Sequence, residues 1–418
     1  MKVKIHLPKI NIYALRKLIF LVIAASLVFS FGFYFGKNRS SVSSISIKDF
    51  KIDKATPADK QSVDFTLFWK VWDTLEANYF DEGKLNPEKM VYGAIKGMVD
   101  AVGDPYTVFL SPEENKVTEE DLQGNFQGVG IQIGFKGTQL AVIAPLPGTP
   151  AEEAGIKAGD YIIGIKDDKK GIDRGTVGIT LTDAVAAIRG DTGSKVTLVL
   201  TRDGVTDPMV VEVVRRDIAV PSVTVEYLGD DKKVAHLKLL KFAGDTDGEW
   251  ETAVKEIIKS GADRIVLDLR NNPGGYLQMA VDISGDFLPN GTEAVIEESS
   301  NGSKNSFKTS KFPRLTKYPV VVLVNEGSAS ASEILAGALR DMASIKLIGD
   351  TSFGKGTIQE PRQLEGGAGI HITIAKWLTP NGTWVNEKGL DPDVKITDNV
   401  ETSEDEQLLK ALEVVKSL

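Results

Sequence analysis

The segment Tyr318-Pro-Val-Val-Val-Leu-Val324 constrains the fold more than any other. It is apolar at every position and rich in β-branched residues, which predicts a strand buried on both faces. Such a strand needs layers of structure on either side, so the expected class is α/β. It runs straight into Asn325-Glu-Gly-Ser-Ala-Ser-Ala-Ser-Glu-Ile-Leu-Ala-Gly-Ala-Leu339, and the Ala- and Leu-rich part from Glu333 predicts a helix. Between strand and helix, three serines alternate with alanines. A tight turn there exposes a small side chain and aims free N–H groups at the positive end of a helix dipole. Two readings follow. One is a nucleophilic hydroxyl beside an oxyanion site; the other is a helix start whose hydroxyls only cap it.

A serine hydroxyl needs a base at neutral pH. The three histidines, His6, His236 and His371, lie outside Gly-rich or turn contexts, and His236 and His371 fall in alternating strand patterns. The chain has no cysteine. A second apolar strand, Ile345–Gly349, leads into Asp350-Thr-Ser-Phe-Gly-Lys-Gly-Thr-Ile-Gln-Glu360, where Lys355 stands between two glycines that allow close backbone approach. A desolvated lysine with a lowered pKa can take the base's place. The segment also matches seven positions of a phosphate-binding loop, with Ile265–Asp268 as the acidic strand. Its eighth position is Gly356, however, not Ser or Thr, and Gly356-Thr-Ile-Gln is a poor helix start. Ser352 and Lys355 have Ser-x-x-Lys spacing, but Phe353-Gly354 opposes the helical turn that would align them. The serines of the strand-to-helix turn are therefore better nucleophile candidates than Ser352.

These two segments resemble those of the carboxyl-terminal processing peptidases, or tail-specific proteases. The resemblance covers roughly residues 62–418. It implies Ser330 as nucleophile, Lys355 as base and Gln359 as the residue that holds the lysine. It also implies that the turn Asn271-Asn-Pro-Gly-Gly-Tyr276 faces the serine. The N–H of Gly274 or Gly275, which the sequence does not choose between, then joins that of Ala331 in an oxyanion hole. The expected activity is that of a serine endopeptidase with a Ser–Lys dyad, needing no cofactor or metal.

Taken in order, the chain predicts a multidomain α/β protein. Residues 1–17 carry Lys2, Lys4, Lys9, Arg16 and Lys17, and 18–36 form an uncharged apolar anchor or uncleaved signal. The positive-inside rule places everything beyond it on the extracytoplasmic side of the cell membrane. A cleaved signal peptide is the competing reading, disfavoured because no small-x-small site follows the apolar run. Residues 37–61 read as a linker. A small helical unit, 62–112, has Phe68, Val71, Trp72, Leu75 and Tyr79 on one helix face, and Val91, Ala94, Ile95 and Met98 on the next. The resemblance gives this unit a share in homodimer contacts and makes Gly103-Asp-Pro-Tyr-Thr107 a signature turn.

From about 117 short strands begin, and 113–217 resembles an inserted PDZ domain of the circularly permuted kind. The Val129-Gly130-Ile131 backbone offers a nest for a terminal carboxylate, with the tail adding as a strand beside Gln132 and Ile133. A sheet module without a ligand is the plain alternative. Arg189, at the end of the PDZ helix, is placed to reach a carboxylate or the protease body, or simply to offset the helix dipole. Residues 218–400 form the protease core, of the ClpP/crotonase kind, and 401–418 a C-terminal helix behind a Ser403-Glu-Asp-Glu406 capping box, its Leu408, Ala411, Leu412 and Val415 serving as core or dimer contact. The net charge of −9 argues against nucleic acid. Expected partners are protein substrates with apolar C-terminal tails, the membrane, a second copy and an activating partner. The rival function is a membrane-tethered PDZ adaptor with a silent protease domain, against which intact Ser330, Lys355 and Gln359 argue.

Overall fold

The computed structural model describes residues 63–146, 148–179, 181–202, 204–229, 231–397 and 404–418. The expected N-terminal tail, anchor and linker, with His6, Ser62 and Ser403, lie outside these residues, as does the Thr182 side chain. Among the described residues no helix is long and apolar enough to cross a membrane. The chain divides into two compact units, one ending at Gly93 and the other beginning at Ala94.

In the first unit, helix Thr66–Asn78 buries Trp72, whose ring lies 6.2 Å from that of Phe68; Phe68 and Trp69 meet edge to face at 4.9 Å. Val71 and Leu75 of the same stripe stay exposed. Helix Pro87–Asp100 crosses the division. Beyond it Val99 is buried and Met98 exposed, the reverse of the expected face, because the stripe follows the i+4 row from Ile95 to Val99.

The second unit is built on a six-stranded sheet in the order Val223–Leu228, Val234–Leu239, Arg264–Asp268, Val320–Val324, Lys346–Gly349 and Val394–Lys395. All neighbours are parallel except the first pair. Period-two alternation sends Val320, Val322 and Val324 to one face, against helices Thr246–Ser260, Leu277–Ser284 and Ala331–Ala343. Val321 and Leu323 face the other way, onto Ala411 and Val415 of helix Glu406–Ser417. That C-terminal stripe is core. The helix is capped by Asp405, which accepts from Leu408 N at 2.8 Å. An antiparallel sheet, with strand Gly369–Leu378 joined to Val108–Leu110, Glu293–Ser299 and Thr357–Gln363, covers the site.

The segment 112–123, expected within the strand-rich module, is a helix. Ser111 and Glu114 form a capping box around its start. Asn115 donates to Gln363 Oε1 at 2.8 Å and Gly367 O at 3.1 Å, which ties this helix to the antiparallel sheet. The PDZ-like module therefore begins after Gly124, not at 113. Its entering strand Asn125–Gly128 pairs antiparallel with its leaving strand Arg216–Ala219, the mark of an insertion. Within it, strand Ile131–Lys136 lies at the edge of the sheet and, among the described residues, pairs on one side only, with Gln139–Pro145.

Candidate active site

The three serines of the strand-to-helix turn have different fates. Ser328 and Ser332 are fully buried and donate to Leu269 O and Asn272 O, each at 2.8 Å. Ser330 stands between them, half-buried, with φ +55° and ψ −114°. A non-glycine residue holds that conformation only when its surroundings force it, as at a nucleophile elbow. Its N–H donates to Glu333 Oε2 at 2.8 Å, and helix Ala331–Ala343 starts at the next residue.

The Asn271–Tyr276 turn packs against this elbow. Asn272 is fully buried; its amide donates to Leu239 O at 2.6 Å and its carbonyl accepts from Ala329 N at 3.0 Å. Asn325 donates to Asn271 Oδ1 at 3.0 Å. Gly274, at φ +99°, approaches so closely that a Cβ there would lie 2.7 Å from Ala329 O and 3.0 Å from Ala331 N. A Cβ on Gly275 would meet Phe242 O at 2.1 Å. Gly274 N–H is donated to Asn272 Oδ1 at 2.9 Å. Gly275 is exposed, and among the described residues its N–H meets no acceptor.

The lysine segment arrives from the other side. A Cβ on Gly354 would lie 2.8 Å from Gly389 N, and one on Gly356 2.8 Å from Asn386 N, so both glycines serve close approach. Strand Thr357–Gln363 follows where a phosphate-binding loop would start a helix. Ser352 is buried and donates to Glu333 Oε1 at 2.6 Å, a structural contact. Lys355 is half-buried; burial pushes its pKa down, against the opposing charges of Asp104 and Glu333.

Glu333 joins the two segments and was not foreseen as a site residue. Fully buried, it accepts from Ser330 N, from Ser352 Oγ, from Gly354 N at 2.7 Å and from Lys355 N at 2.9 Å. Its only sequence signal is the Ser-x-x-Glu spacing of a capping box. Sequence spacing could not show that its carboxylate also holds a loop 19 to 22 residues away.

Ser330, Lys355, Gln359, Gly274 and Gly275 line one cavity of about 680 Å³; Ala331 is not in that lining, though its N–H lies close to Gly274. Among the described residues no hydrogen bond joins Lys355 Nζ to Ser330 or to Gln359. Gln359 instead donates to Thr357 Oγ1 at 2.9 Å and Thr373 Oγ1 at 3.1 Å. His371, on strand Gly369–Leu378, lines the cavity, its pKa pushed down by burial and then by Lys355. His236 is buried in the central sheet, its Nε2 3.0 Å from Asp268.

In the inserted module, Val129, Gly130, Ile131 and Ile133 line a groove of about 140 Å³ against Leu181, Val185 and Ile188 of helix Leu181–Ile188. Gln132 is exposed and outside that lining, since alternate residues of a strand face opposite ways. Arg189 closes the groove. Its guanidinium stacks 4.4 Å from the Phe126 ring and donates to Asp121 at 2.7 Å, while Nη1 is buried without a hydrogen bond. Phe126 lines both groove and cavity.

An α/β core whose cavity is lined by a strained serine, a half-buried lysine and a glycine N–H without an acceptor among the described residues has the parts of a serine peptidase site. The comparisons agree. Residues 233–396 match peptidase family S41, 21–114 the activating protease CtpB N-terminal domain, and 142–202 a PDZ domain. Carboxy-terminal processing protease CtpA of Bacillus subtilis is 36% identical over 91% of this chain and 77% of its own length. CtpB of the same organism is 34% identical over 78% of this chain and 66% of its own. The photosystem II D1 C-terminal processing protease superposes with a TM-score of 0.50 at 28% identity, over 82% of this chain and 96% of that one. The chain belongs to the carboxy-terminal processing proteases of peptidase family S41.

Proposed function

We propose that the chain is a serine–lysine endopeptidase that selects protein substrates by an apolar C-terminal tail. The observation that carries this reading is the convergence of Ser330, Lys355 and the Asn271–Tyr276 turn on one cavity. Neutral Lys355 accepts the proton of Ser330 as Oγ attacks the scissile carbonyl carbon. The developing oxyanion is held by the N–H groups of Ala331 and Gly275, since that of Gly274 is already donated to Asn272. The lysine ammonium then protonates the departing amine. Neutral again, it takes a proton from the water that hydrolyses the acyl-enzyme. Lys355 must first turn toward Ser330, and Gln359 exchanges its threonine partners for the lysine as it does. No step uses a metal, so EDTA leaves the rate unchanged.

The tail adds as a strand beside Ile131 and Ile133, its carboxylate at the Val129–Ile131 nest. Arg189 carries the event to helix Pro112–Gln123 through Asp121. Residues 18–36 tether the chain to the cell membrane with the catalytic part outside, and the helical unit pairs two copies. The deciding experiment uses the full chain, wild type beside Ser330→Ala and Lys355→Ala, on a loosely folded protein with either an apolar or an Asp-Asp tail. Cleavage by wild type alone, favouring the apolar tail, is expected. Cleavage surviving in Ser330→Ala overturns the nucleophile. Tail binding without cleavage by any of the three points to the adaptor instead.

A further inference from the structure

The signature turn Gly103–Thr107 has no place in the scheme above, yet it lies against the base. Lys355 Nζ sits 5.0 Å from the centre of the Tyr106 ring, within the range at which a ring face attracts an ammonium. Asp104, in the same turn, contributes a carboxylate charge to Lys355. The turn is rigidly built: Asp104 accepts from Tyr106 N at 3.0 Å and from Thr107 Oγ1 at 2.7 Å. Thr107 Oγ1 accepts from Thr373 N at 3.0 Å, and the following strand pairs Val108 with His371. Thr373 in turn accepts from Gln359. One turn thus engages both the lysine and, through Thr373, the glutamine expected to hold it.

We propose that the Gly103–Thr107 turn forms a resting perch for the base: the Tyr106 ring and the Asp104 carboxylate hold protonated Lys355 off Ser330. Tyr106 and Asp104 are then positioning residues that act through Lys355, and the inference rests on Lys355 being the base. The perch favours the ammonium, so every turnover begins with deprotonation and departure from it. The other ionisable groups around the lysine are Glu333 from the start of the serine helix and His371 from strand Gly369–Leu378; Glu387 faces Tyr106. Glu333 also favours the ammonium, whereas burial opposes it. Removing the ring or the Asp104 charge therefore lowers the Lys355 pKa further.

The test is a titration of Lys355 by NMR in the full chain carrying lysine labelled with ¹³C at Cε, its signal assigned by loss in Lys355→Arg. Tyr106→Phe keeps the ring face and is expected to titrate as wild type. Tyr106→Leu is expected to titrate about half a unit to one unit lower. The acid limb of kcat/KM should move by the same amount, which a purely structural role would not cause. An unmoved titration in folded Tyr106→Leu overturns the proposal, as does an equal fall in the Phe and Leu variants. If Tyr106→Leu fails to fold, Asp104→Asn decides: a downward shift supports the perch and no shift overturns it. Lys355→Ala cleaving like wild type would instead sink the dyad reading itself.

Discussion

At the residue scale the site is organised by one carboxylate. Glu333 gathers three backbone N–H groups and one hydroxyl, from both the serine elbow and the lysine loop. Each donor left without an acceptor in a buried place costs about 1–3 kcal/mol. Glu333→Gln, which keeps the shape but turns an NH₂ toward N–H donors, should lower Tm and reduce kcat on the order of 10²-fold. Melting curves and steady-state kinetics on an unstructured peptide check both. Retention of full activity would show that the elbow and loop are held by other contacts. The Ser-x-x-Glu spacing was legible beforehand, but a spacing of three describes one helix end and is silent on what docks there.

At the element scale, helix Glu406–Ser417 is fastened to the central sheet by charge as well as by its apolar face. Arg270 donates to Asp268 at 2.8 Å and to Asp405 at 2.7 Å, beside the helix start. Burial alone would raise the Asp268 pKa, but hydrogen bonds from His236 and Arg270 outweigh it and hold the pKa at about 2 rather than 3.8. A carboxylate whose folded pKa is depressed adds stability above its unfolded pKa and loses it as pH falls through the folded one. The chain should therefore lose about 2 kcal/mol between about pH 4 and pH 2 through Asp268. In Asp268→Asn, urea unfolding should show that part of the pH dependence gone; an unchanged slope would assign it to other carboxylates. Helix and strand identities here were readable from periodicity. The helix at 112–123 was not: its apolar stripe is weak, and its one local signal is the Ser111–Glu114 capping box.

At the scale of the whole molecule, the inserted module meets helix Pro112–Gln123 beside the cavity. Arg189 joins helix Leu181–Ile188 to Asp121 and stacks on Phe126, the residue common to groove and cavity. Arg189→Ala should bring the ratio of rates on apolar-tailed and Asp-Asp-tailed substrates toward one, measured as kcat/KM with the same protein body. A ratio unchanged from wild type would remove Arg189 from tail recognition. The buried strands, the small-residue elbow and the glycine-flanked lysine can be read along the chain, because periodicity and steric demand are local properties. That Gly274 N–H is already engaged, that Lys355 lies against Tyr106 and that Glu333 clamps two segments follows from packing alone. Those are contacts between residues far apart in the chain, set by how layers pack, and no local pattern encodes which donor meets which acceptor.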